Sequence, residues 1–190
     1  MEFNKNIEGI EGLVVITPRV FGDERGYFME TFNEEKFKEQ GIDIQWVQDN
    51  QSGSSKGTFR GFHWQAEPCG QDKLVRVVSG AVLDFAVDIR KGSPTYLKYA
   101  KIELTADNQK IFLLPKGFAH GFLALEDNTS FVYKLGSSVY TPGSERSLRW
   151  DDPEICIDLE LDKHGIEKLI VSEKDAQAPF LKDIPDEDLF

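Results

Sequence analysis

The stretch KLVRVVSGAVLDFAVDIR, residues 73–90, restricts the possible folds more than any other part of this chain. Two runs rich in β-branched residues flank Ser79-Gly80, a pattern that predicts two β-strands joined by a tight hairpin turn. In a two-residue turn Val75 would lie opposite Asp84, and strand alternation would divide the side chains between two faces. One predicted face is mixed and carries Lys73, Val75, Val77, Val82, Asp84, Ala86 and Asp88. The other is uniformly apolar and carries Leu74, Leu83, Phe85, Val87 and Ile89.

These two faces require different surroundings. Charged groups on an otherwise apolar face suit the lining of a barrel-like cavity, and Lys73 would be a diagonal neighbour of Asp84, within reach of an ion pair. The uniformly apolar face requires cover from another sheet or from a second subunit.

The rest of the chain continues the same pattern, because short apolar segments alternate with glycine, asparagine and proline. This pattern predicts a mainly β fold, a β-sandwich or jelly roll with a few short helices. One helix is predicted at Asn33–Gln40, which has an asparagine cap, an acidic first turn and Gly41 as its stop. The length suits a single domain over residues 1–190 with a core from about 10 to 180. The acidic residues 183–190 are expected to form a mobile tail.

The charge of the chain restricts its partners. With 33 acidic and 22 basic residues the formal net charge is −11, which repels a nucleic-acid backbone but leaves room for a small anion bound by a few arginines. The sequence has no signal-peptide pattern and no apolar stretch near the ~20 residues that span a bilayer. Cys69 and Cys156 form no redox motif or disulfide framework. We therefore expect no nucleic-acid partner, no membrane and a cytoplasmic location.

The three histidines raise the alternative of a metal site. Such sites in barrel-type enzymes combine two neighbouring histidines with a carboxylate and a third histidine. Here His63 is followed two residues later by Gln65, and His120 is far along the chain. His164 lies in the polar segment DKHG, where a solvated surface position is expected. The pattern therefore argues against a metal site. The simpler interpretation of His120 is a hydrogen-bonded histidine in the core.

The segment RGFHWQ around His63 indicates a different kind of site. Strict alternation would put Arg60 and His63 on opposite faces, but Gly61 could host a bulge that turns both toward one cavity. The chain has no P-loop and no dinucleotide-binding fingerprint. Any phosphate would therefore be bound by side chains such as Arg25 and Arg60, which suit bidentate contacts.

Seven stretches follow one another from about residue 18 to residue 180: FGDERGYFMETF, VQDNQSGSSKGTFRGFHWQ, QDKLVRVVSGAVLDFAVDIRKGSPT, LPKGFAHGFLAL, YKLGSSVYTPGSE, WDDPEICID and VSEKDAQAP. Together they resemble the dTDP-4-dehydrorhamnose 3,5-epimerase family of rhamnose biosynthesis, a branch of the cupin superfamily. The resemblance implies a cupin-type jelly roll (double-stranded β-helix), a homodimer, and an isomerase without metal or other cofactor. Its substrate would be a dTDP-keto-deoxyhexose, inverted at carbons 3 and 5 through an enolate.

The resemblance also implies roles for individual residues. His63 would be the catalytic base, Asp175 would orient it, Tyr133 would donate the proton, and Lys73 would stabilise the enolate. Substrate-binding positions would be Arg25, Glu30, Gln48, Asp49, Asn50, Arg60, His120, Tyr140, Glu145 and Lys174. From the hairpin analysis we add Asp84, expected behind Lys73, where it would keep that lysine charged.

Two residues beside His63 depart from the family pattern. Phe62 and Trp64 stand where the family more often has leucine and phenylalanine, which leaves the exact substrate open. An epimerase that inverts one centre of a related nucleotide-linked keto sugar is therefore an alternative. A metal-dependent cupin oxygenase or isomerase and a non-catalytic sugar-binding jelly roll are further ones.

Overall fold

In the computed structural model, which describes all residues from Met1 to Phe190, the alternating runs form two facing β-sheets. The first sheet contains, in spatial order, β1 (Glu2–Lys5), β2 (Val14–Thr17), β10 (Ile111–Leu114), β7 (Asp72–Ser79), β12 (Thr129–Gly136) and β5 (Trp46–Ser54). The second contains β13 (Glu145–Ser147), β6 (Thr58–Gln65), β11 (Phe118–Ala124), β8 (Ala81–Asp88) and β9 (Tyr99–Thr105), with β14 (Ile170–Val171) beside β6. A separate hairpin joins β3 (Val20–Asp23) to β4 (Gly26–Met29). The predicted mainly β jelly roll is confirmed.

Strands β7 and β8 form where the sequence predicts them, but they are not partners in a hairpin. β7 pairs with β10 and β12 in the first sheet, whereas β8 pairs with β11 and β9 in the second. The chain passes from one sheet to the other at Gly80, whose φ is +77°. The predicted pairing of Val75 with Asp84 is therefore wrong, since Val75 lies opposite Tyr133 and Asp84 lies opposite Phe122. A Ser-Gly pair allows a crossing between sheets as readily as a tight turn, so the local pattern does not distinguish them.

The division of side chains between two faces is confirmed, although the covering elements differ from those expected. The mixed face contributes Val75, Val77, Val82 and Ala86 to the apolar layer between the sheets. The apolar face of β8 is covered by the chain's own C-terminal part, through residues such as Leu148, Ile155, Leu159, Ile166 and Leu181. The expectation that another sheet or a second subunit covers this face is therefore wrong.

Two short α-helices and four single 3₁₀ turns (Ile7–Gly9, Pro142–Ser144, Leu181–Asp183 and Asp186–Asp188) complete the regular structure. α1 (Glu34–Glu39) begins after Asn33, whose side chain accepts a hydrogen bond from the Lys36 amide at 3.1 Å, as predicted. α2 (Glu173–Ala176) begins after Ser172, whose hydroxyl caps the Asp175 amide in the same way. Neither helix is long and apolar enough to cross a membrane.

Residues 183–190 do not form a mobile tail. Ile184 and Leu189 are buried in the cluster that covers the second sheet. The Trp64 indole N–H donates to the Asp188 carbonyl at 2.8 Å, and the Asp188 carboxylate pairs with Arg146 at 2.7 Å. Apolar anchors within an acidic segment hold it in place, because burying them outweighs the mutual repulsion of its exposed charges. This packing also gives Trp64 a structural position.

The bulge predicted at Gly61 is present. Arg60 pairs with Phe122 and His63 pairs with His120. Gly61 and Phe62 of β6 therefore lie opposite the single residue Gly121 of β11. Gly61 has a φ of +128°, and a Cβ added there would lie 2.8 Å from the His120 carbonyl oxygen. The position therefore accepts only glycine. The extra residue lets Arg60 and His63 line the same cavity.

Candidate active site

A cavity of about 800 Å³ opens between the two sheets. Its walls come from β5, β6, β7, β11, β12 and β13, and from the segment that runs from β14 into α2. The structure brings 11 of the predicted site residues to this cavity: Gln48, Asn50, Arg60, His63, Lys73, His120, Tyr133, Tyr140, Glu145, Lys174 and Asp175. Its volume lies in the range of cavities that hold small ligands and cofactors.

His63 and Asp175 form a hydrogen-bonded pair in the cavity wall. The His63 Nε2 and Asp175 Oδ1 atoms are 2.7 Å apart, and the other Asp175 oxygen accepts from the Gly61 amide at 3.4 Å. Burial is the largest single effect and raises the pKa of Asp175, but the hydrogen bond and charge of His63, the Gly61 amide and the Ser172 hydroxyl together hold that pKa below its usual value. Because a carboxylate fixes Nε2 as the protonated nitrogen, the imidazole keeps Nδ1 as its acceptor.

Lys73 lies beside this pair. Its ammonium group donates to the main-chain carbonyl of His63 at 3.1 Å. Burial lowers the pKa of Lys73 to about 8, while the charges of Asp84 and Glu145 act in the opposite direction. Asp84 therefore acts on Lys73 in the direction that the sequence suggested, although burial is the larger effect. At pH 7 most of the lysine remains a cation.

Asp84 lies behind the cavity wall, where it also holds His120. Both carboxylate oxygens lie within hydrogen-bond distance of His120 Nε2, at 3.1 and 3.0 Å. Burial lowers the pKa of His120, although the charge of Asp84 opposes that shift. The imidazole of His120 is therefore a neutral donor fixed in one orientation, with its ring at the cavity surface.

Tyr133 reaches the cavity from the opposite sheet. It lies on β12, next to Asn50 on β5, whereas His63 lies on β6 of the second sheet. Burial raises the pKa of Tyr133, with the charge of Arg60 acting in the opposite direction, so its phenol keeps a proton at neutral pH. A proton acceptor and a proton donor thus line opposite walls of one cavity.

Charged groups surround another part of the cavity. Glu145 accepts from the Tyr140 hydroxyl at 2.9 Å and from the Lys174 ammonium at 2.6 Å. Burial is the largest single effect and raises the pKa of Glu145, but the hydrogen bonds from Lys174 and Tyr140 and the charges of Lys174 and His63 together hold that pKa below its usual value. The Arg60 guanidinium lies nearer the other end of β5, where it donates to the Ser54 hydroxyl and to the Gly53 carbonyl, and it remains exposed.

Three predicted binding residues lie outside the cavity. Arg25 lies in the turn of the β3–β4 hairpin, pairs with Asp23 and leaves 85% of its side chain exposed. Glu30 pairs with Lys36 next to α1. Asp49 lies between two cavity residues on β5, so strand alternation turns it to the other face, where it pairs with Lys134 at 2.8 Å.

Several cavity residues have no signal in the sequence. Phe122 and Phe131 stack with ring centroids 4.2 Å apart and line the cavity beside His120. In a strand pattern such residues cannot be told from ordinary core, because both are apolar and face inward. Gln71 also lines the cavity, and nothing in its local sequence distinguishes it.

The third histidine has a structural position. The expected solvated position of His164 is wrong, since only 14% of its side chain is exposed and it packs against Glu160. The turn that contains the DKHG segment folds His164 back onto Glu160, a carboxylate that also pairs with Lys101 and Lys163. Nowhere in the chain do three histidine, cysteine or carboxylate side chains form a group that could hold a metal ion.

Known proteins share both this sequence and this fold. The family model described as dTDP-4-dehydrorhamnose 3,5-epimerase matches residues 8–183. An enzyme of that name from Methanothermobacter thermautotrophicus is 45% identical over 184 residues, which cover 97% of each chain. A dTDP-6-deoxy-D-glucose-3,5-epimerase from Legionella pneumophila, solved with dTDP-4-keto-L-rhamnose, superimposes with a TM-score of 0.92 at 42% identity and covers 99% of this chain and 97% of its own. A Bacillus anthracis dTDP-4-dehydrorhamnose 3,5-epimerase, solved with TDP and pyrophosphate, superimposes with a TM-score of 0.87 at 36% identity and covers 95% of this chain and 100% of its own. The chain therefore belongs to the dTDP-4-dehydrorhamnose 3,5-epimerase family.

Proposed function

We propose that this protein converts dTDP-4-keto-6-deoxy-glucose by inverting carbons 3 and 5, in the formation of dTDP-L-rhamnose. The observation that carries the proposal is the placement of the His63–Asp175 pair and Tyr133 on opposite walls of one cavity, with the Lys73 cation beside the histidine. A protein that only bound a sugar would not need a base, an acid and a cation combined in this way.

The reaction requires this set of groups. The hydrogens on carbons 3 and 5 are adjacent to the ketone at carbon 4, so removal of either one gives an enolate. Inversion then needs a base on one face of the sugar, an acid on the other, and a positive group near the enolate oxygen. In our proposal His63 takes the proton, Tyr133 returns one from the opposite face, and Lys73 stabilises the oxyanion.

Asp175 and Asp84 would support these groups without touching the reacting carbons. Asp175 stabilises the imidazolium that forms when His63 accepts a proton, as a carboxylate does beside a catalytic histidine. Asp84 opposes the loss of the Lys73 proton and orients His120, whose neutral N–H is then fixed on the carboxylate. In our proposal Gln48, Asn50 and His120 contact the substrate.

The charged part of the cavity suits the nucleotide. Arg60 and Lys174 are cations that suit a diphosphate, and the exposed Tyr140 offers an aromatic ring for a base. We place the base of the nucleotide beside Tyr140, the diphosphate within reach of these two cations, and the sugar between His63 and Tyr133.

We also propose a homodimer in which the β3–β4 hairpin contacts the second copy. The hairpin exposes Phe21, Tyr27 and Phe28 at 51%, 62% and 70%, and exposed apolar side chains that cluster in this way mark surfaces where proteins associate. It carries Arg25 in its turn, a predicted substrate-binding residue that lies outside its own chain's cavity. Contact with a second copy would bury the aromatic side chains and bring Arg25 to the partner's cavity.

The dimer predicts that two hairpin variants behave differently. Phe28→Asp is expected to halve the mass measured by light scattering, to the 21.6 kDa of one chain, and to lower kcat/KM. Arg25→Ala is expected to keep the wild-type mass and to lose activity alone. A wild-type protein that is fully active as a monomer would contradict the proposal.

Two further expectations accompany this function. We propose that residues 1–190 form one domain, since the C-terminal residues complete the apolar cluster over the second sheet. We propose a cytoplasmic location, which is supported by two unpaired cysteines, Cys69 and Cys156, in a chain without disulfides.

The test of the reaction is incubation with dTDP-4-keto-6-deoxy-glucose in heavy water, followed by NMR of the sugar. We expect deuterium at carbons 3 and 5 and a product with both centres inverted. Exchange and inversion at a single carbon would instead identify a single-centre epimerase. A protein that binds the nucleotide sugar but exchanges neither hydrogen would refute an enzymatic role.

A further inference from the structure

Tyr140 reaches the cavity on an irregular segment. Residues 138–141, here called the Tyr140 loop, follow β12 and contain neither helix nor strand. The side chains of Val139 and Tyr140 are largely exposed, so apolar burial does little to fix the loop. Hydrogen bonds to its main chain are therefore important in holding its conformation.

Two buried glutamine side chains supply such bonds. Gln65 Oε1 accepts from the amide of Thr141 at 2.9 Å, and Gln71 Nε2 donates to the carbonyl of Ser138 at 3.1 Å. Gln65 is 3% exposed and Gln71 is 8% exposed. Since Thr141 offers an N–H and Ser138 offers a C=O, the partners settle which end of each amide group faces the loop.

A third glutamine holds the centre of the loop. Gln48 Oε1 accepts from the amide of Tyr140 at 3.0 Å, while its Nε2 donates to Asn50 Oδ1. Three amide side chains, from β5, from the end of β6 and from the residue before β7, thus hold the loop on both sides of Tyr140.

Neutral amides suit this task better than charged groups. A buried carboxylate or ammonium group would lose its hydration, whereas a buried amide is satisfied by one or two good hydrogen bonds. Glutamine also carries a donor and an acceptor, so the same residue type serves an N–H at one end of the loop and a C=O at the other.

The loop sets the position of the Tyr140 ring. Its hydroxyl donates to Glu145, which also binds Lys174. A shift of the loop main chain would move the ring relative to these two residues, and with it the part of the cavity that we assign to the nucleotide.

We propose that Gln65 and Gln71 are positioning residues that hold the Tyr140 loop in the shape that receives the nucleotide of the substrate. The proposal rests on the nucleotide placement given above. A loop fixed before binding loses less conformational freedom when the ligand arrives. The two glutamines therefore act on affinity, whereas the proton transfers at the sugar depend on other residues.

The test replaces each glutamine with leucine, which keeps the approximate size and removes the amide. For Gln65→Leu and Gln71→Leu we expect hydrogen exchange of the loop amides to speed up about tenfold in the free protein. The Kd for thymidine diphosphate and the KM for the nucleotide sugar should each rise by about tenfold, with kcat within about twofold.

Glutamate at the same two positions gives opposite expectations. Gln65→Glu keeps an acceptor for the Thr141 amide and should retain more affinity than Gln65→Leu, although its buried carboxylate loses hydration. Gln71→Glu replaces a donor with an acceptor that faces the Ser138 carbonyl, and it should weaken thymidine diphosphate binding at least as much as leucine does. Gln51→Leu is the control, because Gln51 bonds to the Ser130 hydroxyl at an exposed position outside the loop.

Unchanged loop exchange and unchanged thymidine diphosphate affinity in both leucine variants would overturn the proposal. So would a loss of kcat at constant KM, since that would assign the glutamines to the chemical step. If the leucine variants do not fold, equal affinities of the two glutamate variants would overturn it. The exchange and thymidine diphosphate measurements need no turnover, so a failure of the proposed epimerase reaction would be seen separately.

Discussion

The His63→Ala variant is expected to lose deuterium incorporation from heavy water at carbon 3 and at carbon 5 together. One base on one wall of the cavity would serve both carbons, and removal of a general base lowers such rates by about 10²–10⁴-fold. The fold should survive, because His63 lines the cavity and its side chain contributes nothing to the apolar clusters. The measurement is the rate of deuterium incorporation by NMR, with circular dichroism and the melting temperature as checks on folding.

Tyr133→Phe is the matched variant on the opposite wall. It removes only the phenol oxygen, so the base can still take a proton while the return from the other face is impaired. Deuterium exchange should then persist longer than net inversion. Wild-type exchange in His63→Ala would show that His63 is not the base, and equal loss of exchange and inversion in Tyr133→Phe would count against its role as the acid.

Lys73→Met is expected to lower kcat/KM by about 10²–10³-fold, the usual loss when one group that stabilises an oxyanion is removed. In the wild-type protein burial lowers the pKa of Lys73 to about 8. Since the cation is the active form in our proposal, kcat/KM should fall as the pH rises through about 8. The measurement is the pH profile of kcat/KM for both proteins, and the variant should lack this alkaline limb.

The stability of the protein should change with pH in the opposite direction. The Lys73 pKa is about 8 in the folded protein and 10.5 in the ordinary, solvated state. Between these values the unfolded chain binds more protons, so this group makes the free energy of unfolding rise with pH, by on the order of 3 kcal/mol across the window. Lys101→Met, which removes an ion pair with Glu160 outside the cavity, is the control. It should keep the alkaline pH dependence of kcat/KM and of the free energy of unfolding. An alkaline limb that persists in Lys73→Met would assign it to another group.

The sequence predicts strands and the direction of side chains well, because both depend on local alternation. The sequence predicts Lys73 and Asp84 near one cavity, and the charge of Asp84 does act on the pKa of Lys73. The route to that expectation was wrong, since their strands belong to different sheets. Alternation tells which side of a strand a residue occupies, but only the global topology tells which strand lies opposite.

The candidate site was predictable to the extent that it depends on family motifs. His63, Tyr133 and Asp175 are far apart in the sequence, and only the resemblance placed them together. Asp49 shows the limit, because a motif of three consecutive residues on one strand cannot direct all three side chains to one face. In the sequence, Gln65 stands out only as a position where a metal cupin would often have histidine. Its contact with Thr141 depends on the path of an irregular loop, which no local pattern encodes.

The cover of the second sheet has a consequence for how the protein is made. At typical rates of ~5–20 residues per second, a ribosome needs several seconds to add residues 125–189 after β11 is complete. During that time the outer faces of β6, β8 and β11 remain without the apolar residues that later pack on them. The nascent chain therefore exposes an apolar surface of the kind that chaperones recognise. Asp175 arrives within the same late segment, so His63 gains its carboxylate only as that surface is being closed.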